Sequence, residues 1–205
     1  MSRFWLAAAA LIGFSAVVKS GWLVPLDQAV IDGLEPLRGP ALDGAMRLLT
    51  WLGDPQLVQV FLGTTTAVLW LRGSGRLAAS LAAAFLLGFL LEIALRLWVA
   101  QWRPDTNRIP VGCDAWIRFS LAGFPSGHAF HAAFLWGWVR SRSREARLRA
   151  LCLAAILIVG VSRVYLERHW LTDVIGSWLL AWTVLQMKGQ KNEGKNEGTS
   201  YIFFQ

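Results

Sequence analysis

The stretch LAASLAAAFLLGFLLEIALRLWV, residues 77–99, carries only two charges, Glu92 and Arg96, both in its C-terminal third. A helix needs about 20 mostly apolar residues to cross the ~30 Å hydrocarbon core of a bilayer, and this stretch has them. An ionisable side chain inside a span costs roughly 3 kcal/mol at the bilayer centre and marks a functional candidate. The stretch therefore reads as a transmembrane helix with something polar to do at one end.

Outward from it the chain keeps the same texture. Of its 205 residues, 55% are hydrophobic, 16% are charged and 12 are Trp, with a mean hydropathy of +0.45. Soluble domains carry about 25% charged residues, so a soluble globular protein is excluded. Further apolar segments at 4–18, 55–71, 126–139, 150–165 and 171–187 bring the predicted spans to six. The segments 4–18 and 126–139 are short for a bilayer and need flanking residues. A cleaved signal peptide is the other reading of 4–18. Arg3 alone supplies its charge and no clear small-residue cleavage site follows, so a retained span is favoured. Between the first two spans lie Pro25, Pro36 and Pro40 with the acidic Asp27, Asp32, Glu35, Asp43 and Asp54. Runs at 26–34 and 42–52 put apolar residues at helical spacing. They read as short amphipathic helices on the membrane surface or as an ordinary structured loop. The expected fold is all-α, a polytopic membrane protein with six transmembrane helices and interfacial helices between the first and second.

The formal charge of +7 follows topology rather than nucleic acid. Arg72 and Arg76 sit in one short loop, and Arg140, Arg142, Arg144, Arg147 and Arg149 flank another. Lys188, Lys191 and Lys195 follow the last span and Arg3 precedes the first. Six spans bring all four basic segments to one side, which the positive-inside rule assigns to the cytoplasm. Both termini are then cytoplasmic, and the segments 19–54, 100–125 and 166–170 face outward. Cys113 and Cys152 fall toward opposite faces, which argues against a disulfide, and they form no metal motif. Residues 189–205 repeat Lys-Asn-Glu-Gly and end in Tyr-Ile-Phe-Phe-Gln. They read as a disordered tail, native or left by expression engineering, outside a single domain over 1–188.

The ionisable residues of the later spans gather at their outward ends. Arg96 and Arg103 are seven residues apart, on one face of a continuous helix that Pro104 would end. Two guanidinium groups on one face suit the bidentate, charge-assisted binding of a phosphate. Pro125-Ser126-Gly127-His128 is a turn entering a helix, where free N–H groups, a hydroxyl and the helix dipole favour an anion. Gly127 would let the backbone approach phosphate oxygens closely. His169 and Asp173, four apart, would share a helix face, so the carboxylate can polarise the imidazole into a base or nucleophile. Each signal is weak singly: His-x-x-x-Asp pairs are often structural, Arg96 can pair with Glu92, and His131 reads as a packed helix residue. Their order and common face give them weight together.

These residues closely resemble the type 2 phosphatidic acid phosphatase (PAP2) superfamily, whose motifs are Lys-x6-Arg-Pro, Pro-Ser-Gly-His and Ser-Arg-x5-His-x3-Asp. The second is intact at 125–128, and the third is intact from Ser162-Arg163 through His169 to Asp173. The first reads Arg96 to Arg103-Pro104, with Arg96 where the family has Lys. The motifs cover 96–173, and the six-span layout carries the resemblance over most of the chain. It implies a metal-independent lipid phosphatase without a cofactor. His169 would form a phosphohistidine, oriented by Asp173, and His128 would protonate the leaving oxygen and then activate water. Arg96, Arg103, Ser126, Gly127 and Arg163 would hold the phosphate oxygens. The implied partners are membrane lipids and a lipid phosphate substrate: a polyprenyl (undecaprenyl) diphosphate, phosphatidic acid, phosphatidylglycerol phosphate or a lipid A phosphate. The implied place is the inner (plasma) membrane, with the site facing the periplasm or exterior. Arg96 keeps the charge but widens the donor fork, and so bears on substrate preference more than on activity.

Three other readings carry less weight. A phosphotransferase would pass the same phosphoryl group to an acceptor lipid. A non-catalytic lipid-binding scaffold has no need of His128, His169 and Asp173 together. A zinc site from His128, His131, His169 and Asp173 would be repelled by three arginines.

Overall fold

The protein is described here by a computed structural model covering residues 3–105 and 120–187. Cys113 and the tail at 189–205 lie outside these residues. Regular structure among the described residues is helical, and extended backbone pairs only at the Trp102–Ala122 bridge. The helices are α1 (Arg3–Lys19), α2 (Val24–Leu34), α3 (Pro40–Leu49), α4 (Pro55–Leu71), α5 (Gly75–Val99), α6 (Gly127–Arg142), α7 (Ala146–Tyr165) and α8 (Leu171–Gln186). Single 3-10 turns at Glu35–Leu37 and Thr50–Gly53 follow α2 and α3.

Each predicted span coincides with a helix, and length and composition single out two or three of these helices as membrane spans among the described residues. Only α5, with 25 residues, and α7, with 20, are long and apolar enough alone among the described residues. A third candidate joins α1 to Val24–Leu37 across an 83° bend, as a broken span or a re-entrant loop. Helices α4, α6 and α8 have 16 or 17 residues. At about 1.5 Å per residue they reach roughly 25 Å, short of the ~30 Å core. The runs at 26–34 and 42–52 form helices α2 and α3, not an irregular loop.

The buried positions of α5 are Ala78, Leu81, Ala84, Gly88, Glu92, Arg96 and Val99, spaced by three or four. One inward stripe thus runs from small apolar residues into an ion pair at the site end. Gly88 allows close packing against α6: a Cβ there would lie 2.6 Å from the Phe130 ring. Phe130, Phe134, Leu81, Leu180 and Val184 form the centre of the core. Helix α6 packs on α7 and α8, and α8 also on α1 and α5. The outside is apolar, with Leu6, Ile12, Val60, Phe61, Trp70, Leu151 and Leu157 exposed. So continuous an apolar exterior belongs in lipid. At the end away from the site, the Arg142 guanidinium lies 4.3 Å from the centre of the Trp138 ring.

Helices α2 and α3 cross the site end and are tied to it by polar contacts. Asp27 of α2 is wholly buried. It accepts from Thr172 N at 3.0 Å, Thr172 Oγ1 at 2.6 Å and Gln101 Nε2 at 3.4 Å. A buried carboxylate needs such donors to offset lost hydration, and these fasten α2 to the first turn of α8. Tyr165 Oη donates to Asp43 Oδ1 of α3 at 2.7 Å, and Arg38 pairs with Glu167 at 2.7 Å.

Candidate active site

Helix α5 stops at Val99, where Ala100 turns into the left-handed region at φ 55°. The continuous helix expected through Arg103 is therefore not formed, and Arg96 and Arg103 do not share a helix face. Arg103 arrives on the extended segment after α5. The main chain there is anchored by Gly123 N donating to Gln101 O at 2.7 Å and Trp170 Nε1 donating to Trp102 O at 2.6 Å. Arg103 Nε donates to Ala122 O at 3.4 Å. Tertiary pairing, rather than helical phase, brings this guanidinium to the site.

Arg96 is buried and ion-paired with Glu92 at 2.8 Å, and donates to Pro125 O at 3.1 Å. It thereby joins α5 to the turn of the second motif. At Gly127 a Cβ would point at Glu92 Oε1, 3.2 Å away, with Arg96 Nη2 at 3.7 Å. The bare Gly127 thus makes room for that ion pair. Ser126 is the N-cap of α6, and its buried hydroxyl accepts from Ala129 N at 3.5 Å. Its N–H donates to Asp173 O at 3.2 Å, and its carbonyl accepts from Ser177 Oγ at 2.9 Å. The second motif is stitched directly to the helix carrying Asp173.

His169 and Asp173 meet by a different route from the one their spacing suggests. His169 precedes α8, whose N-cap is Trp170, so the two share no helix face. Asp173 Oδ2 instead turns back over the helix end and accepts from Trp170 N at 3.0 Å. The same oxygen lies 3.3 Å from His169 Nδ1. A carboxylate at this oxygen accepts only, so an ionised Asp173 would hold the proton on Nδ1 and leave Nε2 its lone pair. The fit is tight: a Cβ on Gly123 would come within 2.7 Å of Asp173 Oδ2 and 3.2 Å of Arg103 Cγ. The turn before His169 is held by Arg163 O, which accepts from Arg168 N at 3.0 Å and His169 N at 3.2 Å. Glu167 in that turn takes φ 54°, a conformation uncommon outside glycine.

Burial first, then the charges of Arg163, Arg103 and Arg96 and the ring of His128, hold the His169 imidazole well below its ordinary pKa of 6.5. Burial and Arg96 likewise draw the Arg103 guanidinium below its usual range. Like charges gathered out of water are costly without an anion to share. Arg163 is buried with Nε unpartnered, and its Nη1 donates to Thr50 Oγ1 at 3.3 Å. The residues read from sequence thus converge: Arg96, Arg103, Ser126, Gly127, His128, Arg163, His169 and Asp173 surround one end of the bundle. His131 stands apart, with Nδ1 2.8 Å from Gly127 O, Nε2 3.3 Å from Gln59 Nε2, and Phe85 and Phe130 on its ring.

Sequence reading passed over Asp54. Its Oδ1 caps α4, accepting from Gln56 N and Leu57 N at 3.0 Å each, while Oδ2 lies 3.8 Å from His128 Nε2. That is too long for a hydrogen bond, and it sets a carboxylate beside the His128 ring. The Asp-Pro pair at 54–55 is an N-cap signal, but nothing in it points at His128. Contact with His128's helix comes from Gly53, where a Cβ would lie 2.6 Å from His128 O. Asp27, which secures the first turn of α8, was equally silent as one of five acidic residues in a loop.

Comparisons with known proteins agree with this geometry. The family model described as PAP2 superfamily matches residues 75–189, more than half of the chain. Phosphatidylglycerophosphatase B of Bacillus subtilis (strain 168) is 27% identical over 186 residues, covering 86% of this chain and 85% of that protein. The crystal structure of the transmembrane PAP2-type phosphatidylglycerolphosphate phosphatase from Bacillus subtilis superposes with a TM-score of 0.78 at 22% identity, over 96% of this chain and 99% of that one. Aquifex aeolicus LpxE superposes with a TM-score of 0.61 at 22% identity, over 80% and 95%. With its motifs gathered at one end of a helical membrane bundle, this chain belongs to the PAP2 superfamily.

Proposed function

We propose that this membrane protein is a lipid phosphatase that removes a phosphate from a lipid phosphomonoester or diphosphate through a phosphohistidine on His169. The observation that carries the reading is the His169–Asp173 contact at 3.3 Å, beneath the converging charges of Arg163, Arg103 and Arg96. Nε2 attacks phosphorus in line, the N–P bond forms and the P–O bond to the lipid breaks. His128 gives its proton to the departing oxygen, helped by Asp54. His128 then takes a proton from water, whose oxygen attacks phosphorus and returns the electron pair to Nε2. Arg96, Arg103 and Arg163, with Ser126 and Gly127 shaping the first turn of α6, stabilise the equatorial oxygens. Phosphoryl transfer depends mainly on such positioned charge. Guanidinium groups rather than a metal ion supply it here.

The membrane arrangement proposed is six crossings, the short helices completed by flanking polar residues. The basic ends of α4–α5 and α6–α7 are cytoplasmic, and the site opens on the outer face of the plasma membrane. Substrate candidates are phosphatidylglycerol phosphate, in line with the named relative, polyprenyl diphosphate, phosphatidic acid and a lipid A phosphate. Purified protein in detergent, with chelator and no acceptor lipid, should release inorganic phosphate from at least one of these. No release from any of them would overturn the reading, and release only with an acceptor lipid would make the protein a transferase.

The buried His169 also sets a pH dependence. The folded site keeps it neutral, whereas in the unfolded chain it takes a proton near its ordinary pKa of 6.5. Below that value the unfolded state binds more protons, so this contribution to stability is present above about pH 6.5 and declines as the pH falls. Thermal unfolding between about pH 8 and about pH 5 should show the midpoint dropping, with a shallower slope in His169→Ala. Equal slopes would mean that His169 is not held neutral.

A further inference from the structure

Beside the catalytic residues lies an open cleft of about 190 Å³ lined by Arg47, Thr50, Arg163, Leu166 and Arg168. Arg163 belongs to both places: it bears on His169 and also forms one wall of the cleft. We infer that this cleft receives a second phosphate of the substrate, so that the preferred lipids carry two phosphate groups, one cleaved at His169 and one held between Arg47, Arg163 and Arg168.

The charge balance of the cleft supports this. Arg168 is half-exposed and paired with Asp105 at 2.7 Å. Glu167, the nearest other carboxylate in sequence, is already taken by Arg38 at 2.7 Å. Arg163 keeps Nε without a partner and spends Nη1 on the neutral Thr50 hydroxyl. Arg47, exposed on α3, makes no hydrogen bond or ion pair among the described residues. Three guanidinium groups thus line a small space, and no carboxylate is among the described residues lining it. Planar, multiply donating cations so placed match phosphate oxygens better than any neutral headgroup. A volume of about 190 Å³ has room for a phosphate with its water. The second phosphate has two chemical sources: a diphosphate, with the groups directly joined, or a phosphodiester separated from the terminal phosphate by a short polyol.

The inference rests on the phosphatase reading, and the test separates the two. Phosphate release would be followed for two pairs, prenyl diphosphate against prenyl monophosphate and phosphatidylglycerol phosphate against phosphatidic acid. Wild type should favour the doubly phosphorylated member of at least one pair. In Arg47→Ala the kcat/KM ratio within that pair should fall about tenfold, carried by KM, as expected for one lost charge-assisted contact. Arg47→Lys should recover part of it. The pair that responds identifies the spacing between the phosphates. A ratio unaltered by Arg47→Ala in both pairs, or both members weakened in proportion as for simple attachment to the membrane surface, would overturn the subsite. Wild type inactive on all four lipids would overturn the phosphatase reading and the subsite with it.

Discussion

His169→Ala should reduce phosphate release to background, a loss on the order of 10⁴-fold or more, as befits removal of a nucleophile. The folded protein should survive the change. His169 is buried and its ring makes a polar contact to Asp173 Oδ2, and that oxygen keeps Trp170 N as a donor at 3.0 Å. Thermal unfolding in detergent would check this alongside turnover, since the loss of one buried partner costs about 1–3 kcal/mol. Rapid acid-free quenching with labelled substrate should trap a phosphoenzyme in wild type and none in the variant. Turnover within tenfold of wild type would remove His169 as nucleophile.

Asp173 should show the second largest effect, and two substitutions divide its duties. Its Oδ2 serves both the helix cap and the imidazole. Asn can place its carbonyl oxygen there and keep the cap while losing the charge that favours Nδ1–H and stabilises the developing imidazolium. Asp173→Asn should therefore lower kcat by at least roughly 10²-fold, with a small change in melting temperature. Asp173→Ala loses the cap too and leaves a buried N–H unpaired, so it should add a stability loss of about 1–3 kcal/mol. A kcat for Asp173→Asn within tenfold of wild type would show that the carboxylate is only a cap. Equal melting temperatures for the two variants would show that the cap does not matter.

Much of this site was legible because its chemistry sits where apolar sequence makes polar residues conspicuous. Glu92 and Arg96 in a 23-residue apolar stretch, and three histidines confined to 128–169, need no structure to attract notice. Helix positions were legible for the same reason, and the segment 55–71 matches α4 residue for residue. What misled was phase. Spacing alone puts Arg103 on a helix that in fact stops at Val99, and His169 on a helix that begins only at Leu171. A spacing of four or seven residues implies a shared face only if the backbone stays helical between them, and here a left-handed Ala100 and an N-cap at Trp170 break it.

The amino-acid sequence by itself determined an all-helical membrane protein and singled out the polar residues that collect at one end of the bundle. Periodicity and the cost of charge in lipid act locally along the chain, so they can be read from it. The tertiary structure alone decided how those residues touch: Asp54 against His128 from 74 positions away, Asp27 bracing α8 across 145, and Arg47 and Thr50 set beside Arg163. These are meetings of residues far apart in sequence, imposed by how α2 and α3 fold across the end of the bundle, and no local pattern encodes them.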